Sequence, residues 1–338
     1  MDLTSLNETG LEDILSQPSS QTCNLISQLS GDIVVLGAGG KMGPTLAMML
    51  HKAAPDKTVY AVSRFSDRNV KDRLDHAGIT TVQADLLDAS HHARLPQVEN
   101  VYYLAGMKFG TSGNQPMTWA LNSYLPGRMA EVYQQARLVV LSTGNVYPFM
   151  NPVQGGARED TAPDPCGEYA QSCLGRERIC EHFAQAKGTA MTIVRLNYAN
   201  EPRYGIIVDL ATKIMQERPI DLGMAAVNLI WQRDANDYIA RALTLAQSPV
   251  QFLNVTGPES VKIRDLAGRI GTVLDKAPIY TGTESAACLL SDASLCFSRL
   301  GFPVMPLDEM IATIVPWVAT GKLTLNKPTK YEVQDGKF

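Results

Sequence analysis

Long apolar runs are missing from this 338-residue chain, and none reaches the roughly 20 residues that a membrane helix needs. An excess of positive charge is missing as well. The 30 Lys and Arg stand against 34 Asp and Glu, a formal charge of -4. That balance offers no electrostatic footprint for nucleic acid or an anionic membrane, so neither is expected as a partner. The first thirty residues have no basic start leading into an apolar run, and no secretory signal is expected there. Cys23, Cys166, Cys173, Cys180, Cys288 and Cys296 include no Cys-x-x-Cys pair, and no histidine stands at metal-like spacing from them. Metal binding is not expected, and free thiols in a reducing, cytoplasmic compartment are. None of the five histidines sits in a segment that suggests catalysis, and no internal repeat is found.

What is present fits a folded globule: 45% of the residues are hydrophobic and 19% charged. The length suits one large domain with a smaller lobe. Residues 1–30 read as an N-terminal extension with short amphipathic helices near 11–15 and 25–29, broken at Pro18-Ser19-Ser20. From residue 31 short apolar runs recur, at 32–36, 59–62, 81–84, 101–104, 138–141 and 191–194. Helical stretches are expected after the first run, at 119–136 and at 170–187. Strands that are apolar throughout and alternate with helices specify an α/β fold, a Rossmann-type doubly wound and mostly parallel sheet. This domain spans 31–200. Residues 201–325 are expected to form mostly a smaller C-terminal substrate-binding lobe, with elements such as the strand 252–255 returning to the core. Residues 326–338 are read as a peripheral tail, and the helix that follows Trp231-Gln232-Arg233-Asp234 is expected over 238–246.

The first strand runs into Gly37-Ala38-Gly39-Gly40-Lys41-Met42-Gly43, which opens a helix. In such a turn Gly37 permits the sharp reversal, Gly40 lets the backbone approach a pyrophosphate, and Gly43 permits close helix–strand contact. The helix start, with Lys41 and Met42 beside it, offers unpaired N–H groups to phosphate. A dinucleotide site is expected here. The second strand ends in Ser63 and Arg64 rather than an acidic residue. Arg64 leans toward a 2′-phosphate, so NAD and NADP both stay open, and Asp85 after the third strand is a candidate acceptor for the adenine amino group.

These residues resemble the extended short-chain dehydrogenase/reductase superfamily, in particular its NAD-dependent epimerase/dehydratase branch, over about residues 31–260. Ala84-Asp85-Leu86 is similar to the branch's adenine-contacting segment. Leu104-Ala105-Gly106-Met107-Lys108 is similar to an Ala-Gly-x-Lys stretch of UDP-galactose 4-epimerases whose lysine contacts the cofactor, and Asn122 matches a cofactor-side asparagine. Leu141-Ser142-Thr143-Gly144-Asn145 looks like the family's serine/threonine strand end, with Thr143, Gly144 and Asn145 facing substrate. Tyr169-Ala170-Gln171-Ser172-Cys173 matches the Tyr-x-x-x-Lys helix.

The resemblance implies that the Tyr169 phenol exchanges a proton with a substrate hydroxyl while hydride passes to or from a nicotinamide, with Thr143 bonding the same oxygen. It implies a sugar, nucleotide sugar or related polyol handled through a keto intermediate, and a homodimer. Two positions depart from the pattern. Cys173 replaces the lysine and brings no positive charge, and a thiolate there would oppose tyrosine ionisation. Asn197-Tyr198-Ala199-Asn200-Glu201 places Tyr198 where an asparagine often touches substrate, so a rebuilt substrate face is expected. Arg203, Arg233 and Lys262 are the single basic candidates for a diphosphate. The alternative reading is a catalytically impaired, dinucleotide-binding regulatory or scaffold protein.

Overall fold

The computed structural model describes residues 3–108, 110–111 and 113–336. Seven apolar runs form strands: β1 (Ile33–Leu36), β2 (Val59–Ser63), β3 (Thr80–Gln83), β4 (Asn100–Tyr103), β5 (Arg137–Thr143), β6 (Met191–Leu196) and β7 (Gln251–Val255). They pair in parallel in the order β3-β2-β1-β4-β5-β6-β7. Val35, for example, lies opposite Ala61 on one side and Tyr102 on the other. The strand order reverses between β1 and β4, which opens a crevice at the carboxyl ends of these strands.

Alternation along each strand explains why both faces are covered. Ile33, Val35, Ala61, Tyr102, Val139, Val194 and Leu253 point to one face. There they meet α2 (Ser20–Ser27), α3 (Gly43–Ala53) and α9 (Gln232–Ala242). Val34, Leu36, Val62, Val101, Tyr103, Val140 and Ile193 point to the other, against α6 (Leu125–Val132) and α7 (Gly167–Lys187). The doubly wound architecture expected from the strand pattern is the one observed.

A second core lies beyond the sheet, where α8 (Ile206–Met215), α10 (Ile263–Leu274) and α12 (Leu307–Ala319) pack together. The N-terminal extension joins both cores. Leu11 and Leu15 of α1 (Glu8–Leu15) enter the smaller one, while Ile26 of α2 enters the sheet core. The extension is thereby an integral part of the fold.

Three local expectations are corrected. The helix expected over 119–136 is interrupted: α5 (Gln115–Trp119) passes through a π-helical turn at Ala120–Tyr124 before α6 begins. The wide turn carries Asn122, whose side chain is fully buried against the loop after β4. Helix α9 starts at Gln232, six residues earlier than expected, because Gln232 and Asn236 both donate to the Thr45 hydroxyl of α3. The tail is not peripheral. The Thr329 hydroxyl donates to Asp209 at 2.6 Å, and Lys213 donates to Glu332 at 3.0 Å.

Candidate active site

A cleft of about 760 Å³ runs from the glycine turn across the carboxyl ends of β1, β4, β5 and β6 to the tail. Its first wall is the turn itself. Gly37 has φ +85°, and a Cβ there would lie 2.5 Å from Ala105 N, so the turn between β1 and the β4 end requires glycine. At Gly43 a Cβ would lie 2.5 Å from Ala38 O, whereas at Gly40 it would meet nothing nearer than Gly37 O at 3.5 Å. Gly43 is therefore a packing glycine, and Gly40 faces open space. Gly43→Val is expected to cost about 1–3 kcal/mol through overpacking. Urea unfolding checks this, and an unchanged midpoint contradicts the tight contact between the helix start and Ala38.

Thr143 ends β5. Its hydroxyl donates to Asn145 Oδ1 at 3.0 Å and is hydrogen-bonded to the Tyr169 phenol in the first turn of α7. Cys173 lies one helical turn further and is also bonded to that phenol. Burial pushes the Tyr169 phenol well above its ordinary value. Cys173 pushes in the same direction, and Arg176 and the Thr143 bond oppose it. Burial likewise raises the Cys173 thiol. Cys173 is thus a neutral thiol at neutral pH and brings no charge to the phenol.

Arg176 completes this face of α7, seven residues after Tyr169. Sequence reasoning missed it, although positions 169, 173 and 176 share one side of a helix. Its Nε donates to Asn122 O at 3.2 Å and its Nη2 to Asn122 Oδ1 at 3.1 Å, while Nη1 donates to Leu141 O. Asn122 in turn donates to Met107 O at 2.9 Å and to the Ser172 hydroxyl at 3.0 Å. The asparagine thereby braces the loop that carries Lys108.

Two half-buried lysines face the cleft. Burial lowers Lys41 to about 7, with Glu201 opposing the shift and Lys108 and Arg203 adding to it. Burial also lowers Lys108 to about 8, with Asp209 opposing. Lys41 Nζ donates to Ala199 O at 2.6 Å and sits 4.2 Å from the Tyr204 ring centre. A nearby anion favours the ammonium form, so a pyrophosphate bound here raises both values. Binding a dinucleotide at about pH 8 is expected to take up protons. Calorimetry in buffers of different ionisation enthalpy measures this, and zero uptake contradicts contact with these lysines.

The other residues singled out from the sequence fall on either side of the cleft wall. Gly37, Gly40, Lys41, Met42, Gly43, Leu104, Gly106, Lys108, Asn122, Thr143, Asn145, Tyr169 and Tyr198 line it. Ser63, Arg64, Asp85, Leu86, Ala105 and Gly144 do not. Arg64 is exposed, and Asp85 spends one carboxylate oxygen on Leu87 N at 3.0 Å. Tyr198 holds φ +40°, a left-handed conformation. Arg203 lines the cleft but is paired with Glu8, Glu12 and Glu201 at 3.0 to 3.2 Å. Arg233 is paired with Asp234, and Lys262 faces Glu284. Among the described residues, no group of three or more His, Cys, Asp or Glu side chains suits a metal ion, and no helix is long and apolar enough to cross a membrane.

Solved structures share this fold. MoeE5 in complex with UDP-glucose and NAD superposes with a TM-score of 0.71 at 21% identity, covering 86% of this chain and 99% of that one. UDP-glucuronic acid 4-epimerase from Bacillus cereus, in complex with UDP-glucuronic acid and NAD, gives 0.72 at 18% identity, covering 86% and 99%. UDP-glucose 4-epimerase from Thermus thermophilus, in complex with NAD, gives 0.70 at 19%, covering 85% and 99%. At these identities the likeness speaks for the fold. A search of curated proteins finds no match. The family model described as NAD dependent epimerase/dehydratase matches residues 33–250, from the first strand of the sheet to the threshold of the last. It takes in the glycine turn, Thr143, Tyr169 and Arg176, and by that match the chain belongs to the NAD dependent epimerase/dehydratase family.

Proposed function

We propose that the chain is a nicotinamide-dinucleotide-dependent enzyme that acts on a hydroxyl of a nucleotide-linked sugar through a keto form of the substrate. The observation that carries this reading is Tyr169 bonded to Thr143 within the same cleft that begins at the glycine turn. The residues fit a dinucleotide. Gly40 faces open space, and the N-cap Met42 of α3 makes no side-chain cap, which leaves the N–H groups of the first turn, Pro44 aside, for phosphate. Lys41 and Lys108 add charge to the same wall. Bound nicotinamide supplies the hydride acceptor and donor.

The chain's own residues then handle the proton and the alignment. Thr143 Oγ1 and Tyr169 Oη position one substrate hydroxyl, and Tyr169 Oη holds or returns its proton. Tyr198, Leu325 and the tail residues Lys327 and Thr329 close the opposite side and give the sugar its surroundings. NAD is favoured over NADP, because Arg64 does not line the cleft while Glu8 and Glu12 do. The experiment is incubation of the cofactor-loaded protein with UDP-glucose, UDP-glucuronic acid and UDP-N-acetylglucosamine, with products read by NMR. Epimerised, dehydrated or oxidised sugar supports the reading, and unchanged sugars with cofactor demonstrably bound count against it.

A homodimer belongs to this proposal, supported by the exposed Met117, Trp119 and Tyr124 of α5 and the π-helical turn. Six unpaired cysteines support a cytoplasmic setting. Light scattering is expected to give twice the 36.8 kDa chain mass, and a monomer at working concentration contradicts the dimer.

A further inference from the structure

A tyrosine acting as a proton acceptor near neutral pH needs a nearby cation, and the position four residues after Tyr169 holds an uncharged thiol. We infer that Arg176 supplies that charge: its buried guanidinium, on the same face of α7, stands in for the absent lysine as the residue that sets the ionisation of Tyr169. The inference rests on the reading of Tyr169 as the group that handles the substrate proton.

Three observations carry it. Arg176 is 6% exposed, and its hydrogen bonds go to neutral acceptors, Leu141 O, Asn122 O and Asn122 Oδ1. Among the described residues it forms no ion pair with a carboxylate. The neighbouring Glu177 is committed to Arg195 at 2.8 Å. A buried cation without a counter-ion favours the anionic form of the ionisable groups around it.

Those groups are Tyr103 from β4 and Tyr169, Cys173 and Cys180 from α7. Tyr103 and Cys180 do not line the cleft, whereas Tyr169 and Arg176 do. The charge therefore reaches the cleft at Tyr169, whose phenol the Thr143 hydroxyl also supports.

The surroundings are shaped for this arginine. A Cβ at Gly106 would lie 2.6 Å from Arg176 Nη2, so glycine there leaves room for the guanidinium in the position it holds. Lys108, from the same loop, interacts with Cys173 and is the second cation, but its charge is lost as pH rises through about 8. Arginine stays charged throughout that range. The arrangement thus gives Tyr169 a pH-independent positive neighbour.

The test places 3-fluorotyrosine at position 169 of the full chain and follows its ionisation by fluorine NMR, without substrate. Arg176→Gln is expected to raise the midpoint by at least about one pH unit, a tenfold loss of phenolate at fixed pH. An unchanged midpoint overturns the inference. Should Arg176→Gln fail to fold, Arg176→Met carries the same test: a midpoint raised by about a unit or more supports the role of the charge, and an unchanged midpoint overturns it.

In turnover, Arg176→Gln is expected to move the rising limb of the kcat/KM pH profile to higher pH, with KM for the sugar changed less than about threefold. A profile that only drops in height contradicts the assignment. Absence of turnover in the wild type would sink the proposed activity while leaving the fluorine titration readable.

Discussion

Replacing Tyr169 with phenylalanine is expected to lower turnover on a nucleotide-linked sugar by on the order of 10²–10⁴, while cofactor affinity stays within about threefold. The substitution removes one oxygen from a residue that is 9% exposed and leaves the ring packed against Val146, Tyr147 and Cys173. Stability should change little, so the lost rate reports the lost proton path. Thr143 keeps its bonds to Asn145 in the variant, so hydroxyl alignment is only partly lost. Steady-state rates together with cofactor titration by fluorescence check both halves. A variant that turns over like the wild type would show that the phenol moves no proton. A variant that loses cofactor would show instead that Tyr169 is chiefly a binding group.

The second large effect is structural. Glu177 and Arg195 are both buried and joined in two parallel contacts, Nε to Oε1 at 3.1 Å and Nη2 to Oε2 at 2.8 Å. The Ser142 hydroxyl donates to the same carboxylate at 2.6 Å. On its far side Arg195 donates to the Tyr147 hydroxyl at 2.7 Å, which in turn donates to Asn254 at 2.8 Å. This chain ties α7 to β5, β6 and β7 directly behind the site. Glu177→Ala leaves a buried guanidinium without its partner, and a loss of about 3–5 kcal/mol is expected. Urea unfolding with an unchanged slope measures it. A cost below about 1 kcal/mol would mean that water or another acidic group reaches Arg195 in the variant. Because Ser142 precedes Thr143 and Arg176 precedes Glu177, the variant is also expected to blur the site before it unfolds.

Much of this architecture is legible in the residues themselves. Short strands such as Ile33-Val34-Val35-Leu36 are apolar on both faces, and only a sheet covered on both sides satisfies them. The glycine turn is legible because its roles are steric: Gly37 abuts the backbone after β4, and Gly43 abuts Ala38 at the start of the turn. Thr143 and Tyr169 can be named through family resemblance, but their hydrogen bond depends on how α7 crosses β5, which no spacing encodes.

Other features are hidden for definite reasons. Arg176 is easily overlooked because the Tyr-x-x-x-Lys pattern points to the fourth position after Tyr169, while the charge sits at the seventh. Spacing puts Asn122 on an ordinary helix, and a π-helical turn is a local rearrangement that carries no hydrophobic period. The tail reads as polar and peripheral, yet its contacts are hydrogen bonds with Asp209 and Lys213, which composition does not reveal. Arg64 stands at a strand end where a phosphate ligand is expected, and it is exposed and outside the lining of the cleft.

The most direct test combines both halves of the proposed activity in one sample. Protein loaded with NAD is mixed with UDP-glucose, UDP-glucuronic acid and UDP-N-acetylglucosamine in turn, while reduced nicotinamide is followed by absorbance and the sugar by NMR. The expected result is a reduced-nicotinamide signal or an altered sugar with at least one of them, lost in Tyr169→Phe while NAD remains bound. Bound NAD that stays oxidised, with every sugar unchanged in wild type and variant alike, would contradict catalysis on these substrates and leave a cleft that only binds.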